Sequence, residues 1–289
     1  MKIIRARVHG FCMGVRRAVE LASAEAQTAG GSGSSVYTIG PLIHNPKVLA
    51  DLRALGADVL NEPPLNPDSC SLIICAHGIS PVKENELRNS GCRLIDATCP
   101  HVKASQIKTQ KLSRSGYCLF LAGDADHAEI TGILGYAKEA PFCMVVGSAG
   151  EAEKAAIELY RTRGQVKTAL LGQTTISEDE YNSIGEAVKK YFPNLEIIRT
   201  ICGATSDRLQ ALRELLDQAD AVIIAGGKES ANTRRLLSAA QESRKPCVLA
   251  ESALDVPESF LSYKAVGICA GASTPDSVIN EIEQRLQKK

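Results

Sequence analysis

Short apolar runs rich in β-branched residues alternate along the chain with longer stretches in which apolar residues recur at helical spacing. This alternation is typical of βα units that build parallel sheets. The predicted strands are "KIIRAR", "SVYTIG", "SLIICA", "CRLIDA", "YCLFLAG", "FCMVVG", "KTALLG", "LEIIRTI", "DAVIIAGG", "PCVLA" and "AVGICA". We therefore predict an α/β fold with mainly parallel sheets.

The predicted units repeat three times. In each repeat a strand leads to a cysteine that a helical stretch follows; these are Cys12, Cys99 and Cys202. A later strand ends in a glycine, and a polar residue stands four positions beyond it; these are His44, His127 and Ser230. The last strand of each repeat leads to a second polar loop, which contains His77, Thr174 or Ser273.

The repeat predicts three similar α/β modules. Their expected bounds are 1–97, 98–199 and 200–289, the last with a C-terminal helix. In open α/β sheets ligands bind at the carboxyl ends of the strands. Each module would present one cysteine and two polar loops at that edge, and modules around a common axis would point all these loops at one cavity.

The charge balance narrows the classes of partner. Lys plus Arg and Asp plus Glu both total 33 in the 289 residues, which gives no electrostatic reason to expect binding to nucleic acid or to an anionic membrane. No apolar run approaches the roughly 18 residues of a membrane span, and the N-terminus lacks the apolar core of a secretory signal. The expected location is the cytoplasm.

The ten cysteines divide into three groups. A disulfide framework is not expected in a chain of this length without an export signal. Five cysteines lie in apolar runs and are predicted to be buried small hydrophobes: Cys75, Cys118, Cys143, Cys247 and Cys269. Cys70 and Cys92 stand in polar, turn-like surroundings without a recognisable signal, which leaves Cys12, Cys99 and Cys202.

These three cysteines share a position that favours the thiolate, between a strand end and a helix N-terminus. Three thiolates at one point would bind a metal or an iron–sulfur cluster. A closed zinc site would usually add a fourth His or Cys and a short C-x-x-C pair, which the sequence lacks. A four-iron cluster with three Cys ligands leaves one iron open as a Lewis acid. In the alternative interpretation, each cysteine packs in the core of its own module.

The polar loops carry mostly neutral hydrogen-bond donors. Hydroxyl and backbone N–H groups at helix starts form a natural anion pocket, and such a pocket can hold a diphosphate without an arginine cluster. The candidate residues are His44, His77, His127, Thr174, Ser230, Asn232 and Ser273. Helix capping by the serines and Asn232, and structural roles for the strand-end histidines, are the alternatives. The sequence contains neither a Walker A motif nor a complete dinucleotide fingerprint.

One carboxylate, Glu129, stands two residues after His127 in "GDADHAEITG". A carboxyl group among apolar walls can have its proton affinity raised, as a general acid requires. The alternative is an acidic residue that stabilises a helix N-terminus.

The ordered motifs resemble one known family closely. "GFCMGVRRAV", "IHNP", "AHGISP", "DATCPHV", "GDADHAEITG", "GQTT", "ICGATSDR" and "AGAST" are similar to the successive motifs of the 4-hydroxy-3-methylbut-2-enyl diphosphate reductases. The resemblance runs from about residue 5 to residue 280, in the family's order. These enzymes catalyse the last step of the methylerythritol phosphate route to isoprenoids.

The resemblance implies a pseudo-threefold trefoil of three α/β modules around a central [4Fe-4S] cluster. It implies that the open iron binds the allylic hydroxyl of the substrate. Two electrons and two protons then remove that hydroxyl as water, which gives isopentenyl and dimethylallyl diphosphates. A ferredoxin or flavodoxin would donate the electrons, and a monomer is the expected oligomeric state.

The resemblance also assigns roles to individual residues. Cys12, Cys99 and Cys202 match the cluster ligands, and Glu129 matches the proton-supplying glutamate. His127 and Thr174 match residues that line the substrate. The diphosphate-binding set is matched by His44, His77, Ser230, Asn232 and Ser273.

The chain departs from the family pattern at three positions. Ala231 stands where the family often has serine, so one hydroxyl donor is missing; such a hydrogen bond to a charged group contributes about 1.5–3 kcal/mol. His9 replaces a more usual arginine and Asp207 a common asparagine.

Three other functions fit part of the pattern. A quinolinate-synthase-like cluster dehydratase would also use three modules with one cysteine each, but "AHGISP" and "GDADHAE" do not resemble its motifs. A non-catalytic iron–sulfur sensor would need a nucleic-acid-binding segment or basic patch, which the sequence lacks. A phosphate-binding module without a cluster is disfavoured by the cysteine register.

Overall fold

The structure, a computed structural model, describes residues 1–32, 34–64 and 69–287. The strands are β1 (Lys2–Arg5), β2 (Ser35–Ile39), β3 (Ala57–Leu60), β4 (Cys70–Ile74), β5 (Arg93–Asp96), β6 (Cys118–Ala122), β7 (Cys143–Val146), β8 (Thr168–Gly172), β9 (Glu196–Ile197), β10 (Ala221–Ala225), β11 (Cys247–Ala250) and β12 (Ala265–Ala270). The helices are α1 (Met13–Ser32), α2 (Pro46–Ala54), α3 (Pro81–Arg88), α4 (Pro100–Arg114), α5 (Ala128–Leu134), α6 (Ala149–Arg163), α7 (Glu178–Lys189), α8 (Gly203–Leu216), α9 (Ala231–Glu242) and α10 (Asp276–Gln287). Two short 3₁₀ helices, Ala253–Asp255 and Glu258–Ser262, precede β12. Within the described ranges, no helix is long and apolar enough to span a bilayer.

The strands form three four-stranded parallel sheets with the same plan. Their strand orders are β3-β2-β4-β5, β7-β6-β8-β9 and β11-β10-β12-β1. In each sheet the two central strands come before the two polar loops, and the strand that leads to a cysteine lies at one edge. The predicted fold class, three similar α/β modules with parallel sheets, is confirmed.

The N-terminal strand joins the sheet formed by the last third of the chain. β1 pairs in parallel with β12, with Lys2 beside Ala265 and Arg5 beside Ile268. The strand that leads to Cys12 is therefore an edge strand of the third sheet, since hydrogen bonding and not chain order decides sheet membership. The module bounds 1–97, 98–199 and 200–289 stay a prediction.

The chain divides into two compact units. The first comprises Met1–Val36, Gly40–Val59 and Gly203–Lys289, and the second comprises Tyr37–Ile39 and Leu60–Cys202.

Apolar side chains cover both faces of the central strands. In the first unit, Ile223 of β10 packs with residues of α10, whereas its neighbour Ile224 packs with Leu212 of α8 on the other face. Successive strand residues point to opposite faces, so a strand with helices on both sides must be apolar throughout. In the second unit, Phe120 and Leu121 of β6 divide between two clusters in the same way.

A disulfide joins Cys70 and Cys92, whose Cα atoms are 5.2 Å apart. Cys70 begins β4, and Cys92 directly precedes β5; the register pairs Ser71 with Arg93, so the two cysteines stand side by side. The expectation that the chain would hold no disulfide framework missed this bond. The 22-residue separation does not reveal that two parallel strands bring the thiols together.

The disulfide should stabilise the fold by closing a 22-residue loop in the unfolded chain. We expect the C70S/C92S double variant to lose about 3 kcal/mol of unfolding free energy, measured by urea denaturation without reductant. Denatured, non-reduced protein should show eight titratable thiols, since eight cysteines are free. Ten thiols, with unchanged stability in the double variant, would contradict the bond.

Candidate active site

Each of the three predicted ligand cysteines directly precedes a helix, as the sequence pattern indicated. Cys12 stands before α1, Cys99 is the N-cap of α4, and Cys202 stands before α8. None of the three is in a disulfide, and all are partly exposed. The Cys99 side chain makes no capping hydrogen bond to its helix. The three cysteines therefore stand at the positive ends of helix dipoles.

The backbone holds all three cysteines in the same way. Each cysteine N–H donates to a carbonyl that lies two residues beyond the end of the adjacent strand. The bonds are Cys12 N–H to Ala272 O (3.0 Å), Cys99 N–H to Ala76 O (2.8 Å) and Cys202 N–H to Thr174 O (2.9 Å). Each acceptor belongs to the second polar loop of its sheet. The threefold pattern predicted from spacing thus has a hydrogen-bond counterpart.

In the first unit, residues of neighbouring polar loops meet at the backbone carbonyl of His44. The Ser273 hydroxyl donates to the His44 carbonyl over 3.5 Å. A Cβ atom on Gly227 would lie 2.3 Å from that same carbonyl oxygen, so only glycine fits there. Burial holds the pKa of His44 below its ordinary value, which keeps the ring neutral at physiological pH.

The N-terminus of α9 carries further donors in the first unit. Ser230 is its N-cap, and its hydroxyl accepts a hydrogen bond from Thr233 N–H. Asn232 is 4% exposed, and its Nδ2 has no hydrogen-bond partner among the described residues. A buried donor without a partner is costly unless a ligand or water satisfies it. Ala231 is also buried, so the hydroxyl that it lacks would have faced the interior.

In the second unit, Thr174 holds the carboxylate of Glu129. The Thr174 backbone N–H donates to Oε1 over 2.6 Å, and its hydroxyl donates to Oε2 over 2.8 Å. Glu129 is 3% exposed. A threonine hydroxyl can donate or accept, so this contact can accompany either protonation state of the carboxyl group. Because the Thr174 carbonyl also accepts from Cys202 N–H, one residue connects the carboxylate to the cysteine backbone.

The ring of His127 has a defined orientation. His127 is the N-cap of α5, and its Nδ1 accepts from the backbone N–H of Glu129 over 3.1 Å. A neutral ring with an accepting Nδ1 carries its proton on Nε2. The ring lies edge to face with that of His77, with centroids 6.4 Å apart.

Two residues that contact the site were not selected from the sequence. Gln173 is fully buried; its Oε1 accepts from Asp124 N–H and its Nε2 donates to the Thr175 hydroxyl, both at 3.0 Å. It therefore joins the first polar loop of its sheet to the second. A polar residue directly after a buried strand was the available signal. Cys75 is buried, as predicted, but its Sγ lies 3.0 Å from Nδ1 of His77.

The predicted site residues fall into two groups. The first unit holds Cys12, His44, Ser230, Asn232 and Ser273, and the second holds His77, Cys99, His127, Glu129, Thr174 and Cys202. Across residues 1–32, 34–64 and 69–287, no three His, Cys, Asp or Glu side chains are grouped as ligands of a single metal ion.

The chain is similar to one family over almost its whole length. The family model described as LytB protein matches residues 3–287. The protein named 4-hydroxy-3-methylbut-2-enyl diphosphate reductase from Treponema denticola is 43% identical over 99% of both chains. The protein of the same name from Aquifex aeolicus is 37% identical over 99% of this chain and 96% of its own.

Two solved structures are similar to the fold. One, described as (E)-4-hydroxy-3-methyl-but-2-enyl diphosphate reductase, the terminal enzyme of the non-mevalonate pathway, matches with a TM-score of 0.71 and 36% identity over 100% of both chains. The other, described as the E-1-hydroxy-2-methyl-but-2-enyl-4-diphosphate reductase from Plasmodium falciparum, has a TM-score of 0.88. It is 27% identical and covers 98% of this chain and 87% of its own.

The Thr174–Glu129 contact predicts a measurable stability effect. Thr174→Val keeps the shape and the backbone N–H but removes the hydroxyl, which leaves one buried carboxylate oxygen without this donor. The unfolding free energy should fall by about 1–3 kcal/mol in urea denaturation. Thr174→Ser keeps the hydroxyl and should keep most of the unfolding free energy that the valine variant loses. Equal stability of the valine variant and the wild type would show that the hydroxyl does not hold Glu129.

Proposed function

Because the chain belongs to the LytB family, we propose that it catalyses the reductive removal of the hydroxyl group from (E)-4-hydroxy-3-methylbut-2-enyl diphosphate. The allylic C–O bond breaks, two electrons and two protons enter, and water leaves. The products are isopentenyl and dimethylallyl diphosphates. This is the last step of the methylerythritol phosphate route. The structural observation that carries the proposal is the connected set Glu129, Thr174 and Cys202, which links a buried carboxyl group to a candidate ligand cysteine.

We propose Cys12, Cys99 and Cys202 as the ligands of a [4Fe-4S] cluster. The donor set fits this group: three thiols outside disulfides, each before a helix, each held by the same backbone bond. The cysteines of such a cluster bind different irons, so they need not be grouped like the ligands of a single ion. When bound, the cluster supplies electrons singly and offers an iron without a protein ligand as a Lewis acid.

Glu129 is the proposed proton donor to the substrate. Its burial keeps bulk water from the carboxyl group, and the two bonds from Thr174 fix the plane in which the carboxyl oxygens lie. The Thr174 hydroxyl can exchange donor and acceptor roles as the carboxyl group gains or loses a proton. His127, whose neutral ring carries Nε2–H, is proposed to hydrogen-bond the substrate beside Glu129.

The diphosphate is proposed to bind His44, His77, Ser230, Asn232 and Ser273. Burial lowers the pKa of His44, so that ring offers a hydrogen bond without adding a formal positive charge. The buried Nδ2 of Asn232 and the N-terminus of α9 supply donors of the kind that an anion requires.

A ferredoxin or flavodoxin is the proposed electron donor, since the reaction needs two electrons and the resemblance to the family implies such a carrier. A monomer in the cytoplasm is proposed as the working form.

The function is tested by purifying the protein without oxygen. The chromophore and iron content should indicate about four irons per chain. Turnover is then measured with the allylic diphosphate and a reduced viologen dye, with both products quantified. Protein that holds no iron after anaerobic reconstitution would contradict the cluster assignment. Protein that holds iron but releases no C5 diphosphate would contradict the reaction.

The Glu129→Gln variant tests the proton donor. Glutamine can keep both contacts with Thr174 but carries no acidic proton, so turnover should fall by about 100-fold or more. Iron content and substrate affinity should stay close to wild type. Glu180→Gln is the control, because Glu180 is an exposed capping residue near the N-terminus of α7 in the same unit. Equal turnover of the Glu129 variant and this control would exclude the role.

A further inference from the structure

Cys75 lies at the start of the turn that presents His77. β4 ends at Ile74, and Gly78 N–H donates to the Cys75 carbonyl over 3.0 Å, which closes a four-residue turn. Gly78 has φ +70°, a conformation that glycine adopts without strain. The turn folds the chain back so that the side chains at its first and third positions lie together.

Neighbouring elements hold the turn in place. The Ala76 carbonyl accepts from Cys99 N–H, and the Ile74 carbonyl accepts from Ala97 N–H, so the pairing with the β5 segment continues on both sides of Cys75. A Cβ atom on Gly78 would lie 2.5 Å from Nε2 of Gln106, so the turn packs closely on α4. The backbone that carries the Cys75 and His77 side chains is therefore held in place.

The thiol and the imidazole are in hydrogen-bond contact. Sγ of Cys75 lies 3.0 Å from Nδ1 of His77. Cys75 is 1% exposed, and burial raises the pKa of its thiol to about 12. The sulfur therefore keeps its hydrogen at physiological pH and is a donor, not a thiolate.

The chemistry of the two groups decides the direction of the bond. A thiol sulfur is a weak acceptor, whereas an unprotonated imidazole nitrogen is a good one. One hydrogen lies between the two atoms, and the S–H group can supply it. In the arrangement that uses the better acceptor, Nδ1 is unprotonated and accepts from the thiol, and the ring proton is on Nε2.

We propose that Cys75 is a positioning residue whose S–H donates to Nδ1 of His77 and so holds that ring as the neutral tautomer with Nε2–H. The inference rests on the proposed function, in which His77 binds the diphosphate. Phosphate oxygens accept hydrogen bonds and do not donate them when ionised. The tautomer with Nε2–H thus gives the ring a hydrogen-bond donor at Nε2, which is a buried atom.

The neighbouring histidine has the same proton placement by another route. His127 Nδ1 accepts from the Glu129 backbone N–H, so a neutral His127 also carries Nε2–H. The two rings lie 6.4 Å apart between centroids in one unit. A thiol beside one ring and a backbone amide beside the other thus favour the same tautomer. Of these two partners, only the thiol can be removed by a substitution.

The test compares four holoenzymes labelled with ¹⁵N-histidine: wild type, Cys75→Ser, Cys75→Ala and Cys269→Ala. Serine keeps a donor, and alanine removes it. Cys269 is the matched control, since it is equally buried in β12 and burial raises its pKa to about 12, but no described histidine bonds to it. The readouts are the ¹⁵N shifts of the His77 ring and the Kd for inorganic pyrophosphate.

In wild type, Nδ1 of His77 should resonate as an unprotonated nitrogen and Nε2 as a protonated one. Cys75→Ala should populate both tautomers and weaken pyrophosphate binding by about three- to tenfold, the range of one neutral hydrogen bond. Cys75→Ser should restore the wild-type pattern, and Cys269→Ala should leave both readouts unchanged.

A protonated Nδ1 in wild type would overturn the proposal, as would identical tautomer populations in wild type and Cys75→Ala. These shifts are independent of turnover. A chain that shows the predicted tautomer but does not reduce the allylic diphosphate would therefore contradict the proposed function and leave the role of Cys75 standing.

Discussion

The rest of the candidate site depends on the hydrogen bond from each cysteine N–H to a carbonyl just beyond the adjacent strand. The bond recurs because each cysteine follows an edge strand of a parallel sheet, and the strand beside it carries the second polar loop. Parallel pairing aligns the carboxyl ends of both strands at one edge. Backbone hydrogen bonds therefore set how far the Cα atom of each cysteine lies from its polar loop. The side chains of these residues are not needed for that contact.

The side chains around the acceptor residue then distinguish the three sheets, whose backbone hydrogen bonds to cysteine are alike. In one sheet the acceptor residue is Thr174, whose remaining polar groups hold Glu129. In another it is Ala76, whose neighbours Cys75 and His77 contact each other. In the third it is Ala272, next to Ser273, whose hydroxyl reaches the His44 carbonyl. One backbone plan thus carries a buried carboxyl group, a thiol–imidazole contact and a hydroxyl donor.

Local patterns in the sequence were enough to predict the α/β modules, the cysteine register and the polar loops, since each depends on residues close in the chain. The pairing of β1 with β12 could not be predicted, because the pattern of apolar residues does not indicate which strands become neighbours. The Cys70–Cys92 bond and the Cys75–His77 contact were not predicted, for related reasons. The bond depends on strand register, and the contact depends on a turn that brings two side chains together. Gln173 was missed although it borders two predicted loops, because its role is to join loops 49 residues apart.

The pairing of Lys2–Arg5 with Ala265–Ile268 also has a consequence for synthesis on the ribosome. The edge strand β1 is translated long before β10, β11 and β12, the other strands of its sheet. Cys12, whose N–H bonds to Ala272, therefore cannot take its final place until Ala272 has left the exit tunnel. Such long-range closure slows folding. The three cysteine positions are therefore complete only once the segment after β12 has been made, because Cys12 has no Ala272 carbonyl to bond before then.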